Sequence, residues 1–509
     1  MWTEPAFTNL GRSRTVKNKG WLLDLLLLFL LAVAAYVSSF RGTWQFDDFR
    51  CIVSNSHLRN LTEVWPFSPG RFLVFLTFWA NYRFCALDTF WYHFVNLAFH
   101  ILNGFLFYYF LLLLQEAAGK TEERRFPAFL CAALFLVHPV QTQAVTYIVQ
   151  RLELMCFMFV MAHLIFLLLA LKKKIFLLPA ALALIAGLFS KENMAVAPLV
   201  AILGCFVFAQ IDLKNFLKEK KKYILAAAAV FILLCLLVLR FAGVWKGTSF
   251  DFSPLARLYE DTPDLWDYFA TQFKVWTIYL RLCFWPFGLR LEYDVPLEGF
   301  SSPWVILAIL FWLALAVSAW SLRKREPFFA FGLGFFALAL APAATIIPNG
   351  LYEHRLYSAL PGILIAVVFT FFAKKNVYNA ALLIVVILLF TYATFQRNFY
   401  WSDAELIWRD NLRYSPENFR VNANVGEALL NKERYEAALP YLKKAIELRP
   451  RTVEAHYNLA CCLAGMGDLK GAKEELLAAK KLKTRLPEVR ALVDAALKEI
   501  DGALKSAEQ

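Results

Sequence analysis

The stretch WLLDLLLLFLLAVAAYVSSFRGTWQFDDFR, residues 21–50, decides the fold. Residues 21–40 carry a single charge, Asp24, and the run is long enough to cross the ~30 Å hydrocarbon core of a bilayer as a helix. No small-residue cleavage site follows it, so it reads as a retained first span rather than a cleaved signal. Just where the chain leaves the bilayer it sets two carboxylates side by side, Asp47 and Asp48.

The rest of the chain agrees. Of 509 residues, 60% are hydrophobic and 18% charged, and the mean hydropathy is positive, as expected of a polytopic membrane protein. The net charge of +13 is distributed in short clusters between apolar runs. That is the pattern of cytoplasmic loops facing anionic lipid, so no nucleic-acid partner is expected. The nine cysteines are scattered, most of them in apolar segments, and imply no disulfide framework.

Apolar segments lie at about 21–40, 91–114, 126–147, 152–171, 175–189, 194–210, 223–242, 303–321, 327–345, 357–372 and 377–396, which predicts roughly eleven spans. The basic clusters at 12–19, 124–125, 172–174, 218–222, 323–325 and 374–375 then all fall on the cytoplasmic side, with the N-terminus inside and the C-terminus outside. RFLVFLTFWANYRF (71–84) and FATQFKVWTIYLRLCFWPF (269–287) are interrupted by charges and read as interfacial or re-entrant helices. The same topology sends the polar loops outside: Asp47 and Asp48, 138–143, 190–193, 246–267, 289–296 and 349–357. These loops can converge on one extracytoplasmic cavity. Ionisable groups near membrane depth cost several kcal/mol unless they pair or meet water, so functional residues concentrate among them.

From Trp401 onward the chain becomes charged and rich in Ala and Leu. Gly426, Ala438, Leu442 and Ala445 recur, 34 residues on, as Ala460, Ala472, Leu476 and Ala479. This spacing, with small residues where two helices touch, is the packing code of a tetratricopeptide repeat. The expected organisation is therefore all-α: a membrane domain over 1–398 and an extracytoplasmic repeat domain over 399–509. Within the latter, repeats are expected at about 419–452 and 453–486, with a degenerate leading repeat at 401–416 and a capping helix at 487–505. The repeats can serve as a scaffold or as a groove that presents an acceptor protein to the membrane site.

Taken alone, an acidic pair before a helix serves as readily as an N-cap as it does as a general base or metal site. The companions are cations expected on the same face: Arg151, Lys191, Arg290, His354 and Arg355. A carboxylate base opposite a cationic clamp suits transfer from a lipid-phosphate donor, whose departing phosphate must be stabilised. Each cation could equally anchor the chain at lipid headgroups. His138 before Pro139 reads as a helix-end device, and His93, His100 and His163 as packing residues.

The ordered series FDDFRCIVSN (46–55), RFLVFLTFWANYRF (71–84), FWYHFVNLAFHILNGFLFYYF (90–110), FLVHPVQTQAVTYIVQRLELM (135–155), FSKENMAVAPLV (189–200), WPFGLRLEYDVP (285–296), YEHRLYSALPG (352–362) and WSDAELIWRDNLRYSPENFRVNANVGEAL (401–429) resembles the transmembrane and tetratricopeptide-repeat branch of the GT-C glycosyltransferases, over nearly the whole chain. The resemblance implies a GT-C-type helix bundle, a polyprenyl-phosphate-linked sugar donor, inverting transfer, and Ser or Thr hydroxyls of exported proteins as acceptors. It carries the acidic pair over as Asp47 and Asp48, one of them the base with Asp47 favoured. Arg151, Lys191, Glu192, His354 and Arg355 fall at donor phosphate or sugar positions. EHRLY is only similar to the family pattern. The repeat array is shorter than in eukaryotic members, which are O-mannosyltransferases, and points to a bacterial inner-membrane protein with a periplasmic site. In a eukaryote the same topology faces the lumen of the endoplasmic reticulum. Some GT-C enzymes use a divalent metal, but no carboxylate cluster stands beyond Asp47, Asp48 and the distant Glu292 and Asp294, so no cofactor besides the lipid donor is expected. Two alternatives stay open: a GT-C enzyme acting on a lipid or glycan or moving an oligosaccharide, and a non-catalytic repeat scaffold in the membrane.

Overall fold

The computed structural model describes residues 20–119, 125–208, 264–345, 350–373, 376–482 and 487–507, and every regular element among them is helical. The chain divides into two compact units. The first comprises Met1–Phe287 and Val295–Phe399, and the second Gly288–Asp294 and Tyr400–Gln509.

In the first unit the leucine-rich opening run forms α1 (Gly20–Tyr36), since unbranched apolar side chains lose little rotamer freedom in a helix. There follow α2 (Leu61–Phe67), α3 (Phe72–Cys85), α4 (Thr89–Ala117), α5 (Arg125–Val137), α6 (Thr142–Val145), α7 (Arg151–Ala170), α8 (Leu177–Leu188) and α9 (Ala197–Phe208). After the undescribed residues come α10 (Leu265–Phe284), α11 (Pro303–Leu322), α12 (Pro327–Thr345), α13 (Leu356–Phe371) and α14 (Val377–Tyr400). Asp88 and Asp264 start α4 and α10 by accepting hydrogen bonds from the backbone N–H groups two residues on.

Six described helices are long and apolar enough to cross a membrane: Gly20–Arg41, Thr89–Ala117, Ile148–Ala170, Pro303–Leu322, Glu353–Phe371 and Val377–Tyr400. The pair Arg125–Val137 and Pro139–Val145, bent by 51°, makes a seventh if taken as one span. The expected count of eleven is thus not reached among the described residues. Lys174–Leu188, Glu192–Phe208 and Pro327–Pro342 are apolar but shorter than the ~20 residues that span a hydrocarbon core. The expected span at 223–242, most of the 246–267 loop, and the basic clusters at 12–19, 218–222 and 374–375 lie outside the described residues. The two charge-interrupted stretches form α3 and α10, neither of which qualifies as a span.

The centre of the first unit is pinned by buried polar groups. His100 joins α4 to the Tyr357 hydroxyl (2.8 Å) and to the Leu136 carbonyl (3.0 Å). Asn103 donates to the Leu154 carbonyl (2.9 Å) and the Tyr357 hydroxyl (3.0 Å), so four helices share one network. Helices α12 and α13 cross so closely that a Cβ on Gly332 would sit 2.3 Å from the Gly362 carbonyl oxygen. Only glycine allows that approach.

The second unit holds α15 (Ala404–Leu412), α16 (Phe419–Leu430), α17 (Tyr435–Leu448), α18 (Val453–Gly465), α19 (Leu469–Lys481) and α20 (Pro487–Ala507). The recurring small and large positions do what their 34-residue spacing predicts. Ala438, Leu442, Ala445, Ala460, Ala472, Leu476 and Ala479 are all buried, and Gly426 lies against Leu442. Val493, Leu497 and Ile500 of α20 close the apolar cluster over the second helix pair.

Candidate functional site

The site is built on an elbow. His138 and Pro139 end α5, because proline removes a backbone donor and forces the preceding residue out of the helical region. His138 caps the turn by accepting from the Val140 N–H (3.3 Å), while its other ring nitrogen meets the Cys283 carbonyl (3.1 Å), the expected helix-end role. The chain then makes short turns over Pro139–Gln141, Thr142–Val145 and Ile148–Gln150 before α7 begins at Arg151. The polar segments of the first unit collect around this elbow.

The acidic pair docks on it. Phe46 has φ 43°, a left-handed conformation that an aromatic residue rarely adopts and that costs about 1–3 kcal/mol. Its ring packs edge-on against Tyr147, which holds the turn. The two aspartates emerge with opposite fates. Asp48 has no solvent exposure, and its carboxylate accepts from the backbone N–H groups of Val149 (2.8 Å) and Gln45 (3.1 Å). Burial pushes its carboxyl well above the usual range, against the pull of those backbone donors. Asp47 is exposed, and its backbone N–H donates to the Tyr147 hydroxyl (2.9 Å). A π-helical turn, Phe49–Val53, follows directly. Within it Cys51 is pushed up to about 11 by burial and by Asp47 and Asp48, with Arg50 and Arg71 pulling the other way. Charges of both signs thus act on the Cys51 thiol from this turn and from Arg71.

Cations gather from three further segments. Arg71, at the entry to α3, pairs with Glu192 (3.5 Å). Next to Glu192, Lys191 pairs with Glu153 in the first turn of α7. Glu153 is wholly buried, and its second carboxylate oxygen has no hydrogen-bond partner. His354 is held by Gln143 of the elbow, whose side-chain oxygen accepts from the His354 backbone N–H (2.8 Å) and lies 3.1 Å from Nδ1. Its ring stacks on Tyr352, and Lys191 and Arg355 are the charges acting on it. Arg355 lies over Tyr352 and hydrogen-bonds Tyr279.

Asp47, Asp48, Lys191, Glu192, His354 and Arg355 are thus carried by segments that meet at or beside one elbow. Arg151 stands there too, but inward. It has no exposure, and its guanidinium donates to Asn96 (2.7 Å), Asn81 (2.7 Å), Thr77 (3.0 Å) and the Tyr92 carbonyl (3.2 Å), with Phe78 beneath it. In this arrangement it ties α3 and α4 to α7 and has no face open to a phosphate. Arg290 belongs to the second unit, where it lies over Tyr293 and Tyr414. Tyr147, Gln143, Glu153, Arg50 and Arg71 were not singled out from the sequence. Glu153 stands two residues from Arg151 in the same motif, but a buried ion pair leaves no local sequence signal. Among the described residues no group of three or more His, Cys, Asp or Glu is placed to hold a metal ion.

Chemically, the site offers one exposed carboxylate, Asp47, beside a buried carboxylate held by the backbone, with cations carried by segments that meet at the same elbow. The tetratricopeptide-repeat family pattern matches residues 429–496. The chain is 25% identical over 474 residues to the protein O-mannosyl-transferase F38B6.6 of Caenorhabditis elegans, covering 86% of this chain and 64% of that protein. It is 25% identical over 520 residues to the human protein O-mannosyl-transferase TMTC3, covering 91% of this chain and 55% of that one. To human TMTC4, another protein O-mannosyl-transferase, it is 25% identical over 481 residues, or 81% and 64%. The chain thus spans between about half and two thirds of the length of these curated relatives. No solved structure matches.

Proposed function

We propose that this chain is a membrane glycosyltransferase of the GT-C type. It moves a sugar, mannose by analogy with the names of its relatives, from a polyprenyl-phosphate carrier to a Ser or Thr hydroxyl of an exported protein. The observation that carries this reading is the inequality of the acidic pair. Asp48 holds the loop on the elbow by its backbone bonds, and Asp47 is left exposed beside it, tied to Tyr147 through its backbone alone.

In this mechanism Asp47 takes the proton of the acceptor hydroxyl as its oxygen attacks the anomeric carbon. Attack comes from the face opposite the phosphate, so the new glycosidic bond forms with inverted configuration as the sugar–phosphate bond breaks. The carrier phosphate departs with the bonding electrons, and Lys191, Arg71 and Arg355 stabilise its growing charge. Glu153 orients Lys191 and keeps it from pairing with Asp47. Glu192 restrains Arg71 in the same way, and His354, fixed by Gln143, is placed to hydrogen-bond a sugar hydroxyl. Arg151 acts at one remove by fixing the elbow. The site faces the extracytoplasmic side, in a bacterial inner membrane or its eukaryotic equivalent, and the repeat unit engages the acceptor protein.

Mass spectrometry of exported proteins tests this directly, in cells lacking the gene and complemented by wild type or by the Asp47→Asn, Asp48→Asn double variant. Hexose-sized additions on Ser or Thr should return with wild type alone. Additions that return with the double variant, or are absent from every strain, would sink the reading.

A further inference from the structure

Where the C-terminal parts of α9 and α11 meet the first half of α12, the first unit holds an apolar notch of about 250 Å³. Its walls include Leu203, Phe206, Trp312 and Trp320, and small residues such as Ala319 and Gly334 leave it open. Gly334 already approaches Leu203 so closely that a Cβ there would lie 2.6 Å from it. Among the described residues that line the notch, the one that carries a charge is Arg323. A hollow with apolar walls offers water no partners, and leaving it empty forfeits dispersion contacts, so within a bilayer a hydrocarbon chain is the occupant it favours.

The charge at the notch narrows the choice of occupant. Arg323 leads the run Arg323, Lys324, Arg325. Its guanidinium lies over the Trp320 ring at 3.9 Å and donates to the Trp320 carbonyl (2.5 Å), and no carboxylate pairs with it among the described residues. An arginine so placed keeps donors for a phosphate and has an aromatic plate holding it at the lipid headgroup level. Position separates the notch from the phosphate site of the proposed sugar donor. Lys191 and Glu192 stand just before the start of α9, whereas Leu203, Phe206 and Val207 lie toward its other end. At 1.5 Å per residue that is well over half the length of the helix from the cationic cluster of the candidate site. The basic run also marks this end as the cytoplasmic face by the positive-inside rule.

We propose that the notch is a binding site for an anionic glycerophospholipid of the cytoplasmic leaflet. One acyl chain lies between α9, α11 and α12, and the headgroup phosphate meets Arg323 and Lys324. The inference does not depend on the transferase reading.

The test is the lipid retained by the full chain purified in mild detergent, identified by native mass spectrometry and compared with the bulk membrane. Wild type should retain an anionic phospholipid enriched by at least the factor of about five that one basic side chain near an anionic headgroup supplies, and more where Arg323 and Lys324 both engage it. The Arg323→Gln, Lys324→Gln variant should return the retained lipid to the bulk ratio. Ala319→Phe, which fills the notch and keeps both charges, should retain none at this site, and thermal melting of each variant controls for folding. Retained lipid that matches the bulk membrane in wild type would overturn the site. Enrichment that survives removal of both charges would overturn the headgroup assignment. Recovery of a polyprenyl phosphate in place of a phospholipid would overturn the occupant.

Discussion

At the scale of single residues, the candidate site separates groups that act from groups that hold. Under the proposed mechanism Asp47→Asn removes the base and should lower transfer by about 10²–10⁴-fold. Its thermal midpoint should stay at the wild-type value, since the side chain is exposed. Asp48→Asn should do the reverse first. Both oxygens of Asp48 receive backbone N–H groups, so an amide must turn its own NH₂ toward one of them, at about 1–3 kcal/mol. Thermal melting and a transfer assay on the two single variants would separate these roles, and equal melting losses would refute the division. Arg151→Lys should also lower the melting temperature, because a lysine cannot present the planar fork that reaches Asn81, Asn96 and Thr77 together. Sequence made the residue types of this cluster legible. It did not tell an arginine that meets substrate from one that four neighbours enclose, because burial comes from α3 and α4, far along the chain.

At the scale of elements, legibility followed periodicity. The repeat helices α16 to α19 were readable because small residues at a 34-residue spacing have one physical use, close helix contact. The span count was less readable. Hydropathy marks an apolar run but not whether its helix stops early, as at Leu188, or bends at Pro139. The leading helix α15 illustrates a contact that only the fold reveals. Glu405 in its first turn pairs with Arg409 of its own helix and with Lys432 and Arg434 from the turn before α17. Burial alone would raise the Glu405 carboxyl, but Lys432, Arg409 and Arg434 outweigh it and hold it below its ordinary value. A depressed carboxylate stabilises the fold above the unfolded-state value of about 4.3 and loses that contribution as pH falls through the folded value. Glu405→Gln should therefore cost about 1 kcal/mol at pH 7, a figure discounted for its half-exposed partners, and almost nothing at an acid pH below the folded value. Denaturant titrations of both chains at the two pH values measure the difference, and a constant gap would refute the assignment.

At the scale of the whole molecule, the chain enters the second unit twice. Asn411 accepts from the backbone N–H groups of Leu291 (2.7 Å) and Glu292 (3.0 Å), and Arg420 pairs with Glu292 (3.3 Å). The short segment Gly288–Asp294 is thus built into a domain whose other residues begin at Tyr400. Deleting 400–509 should therefore make Arg290 a tryptic site that the full chain protects. Limited proteolysis followed by peptide mapping would check this, and equal cleavage of both chains would count against it. The same arrangement sets a timetable during synthesis. Glu292 precedes its partner Asn411 by 119 residues. At ~5–20 residues per second the ribosome takes roughly 6–24 s to cover that interval. For that time the loop has left the ribosome without the surface that will receive it, and α11, α13 and α14, each long and apolar enough to cross a membrane, are made while it waits.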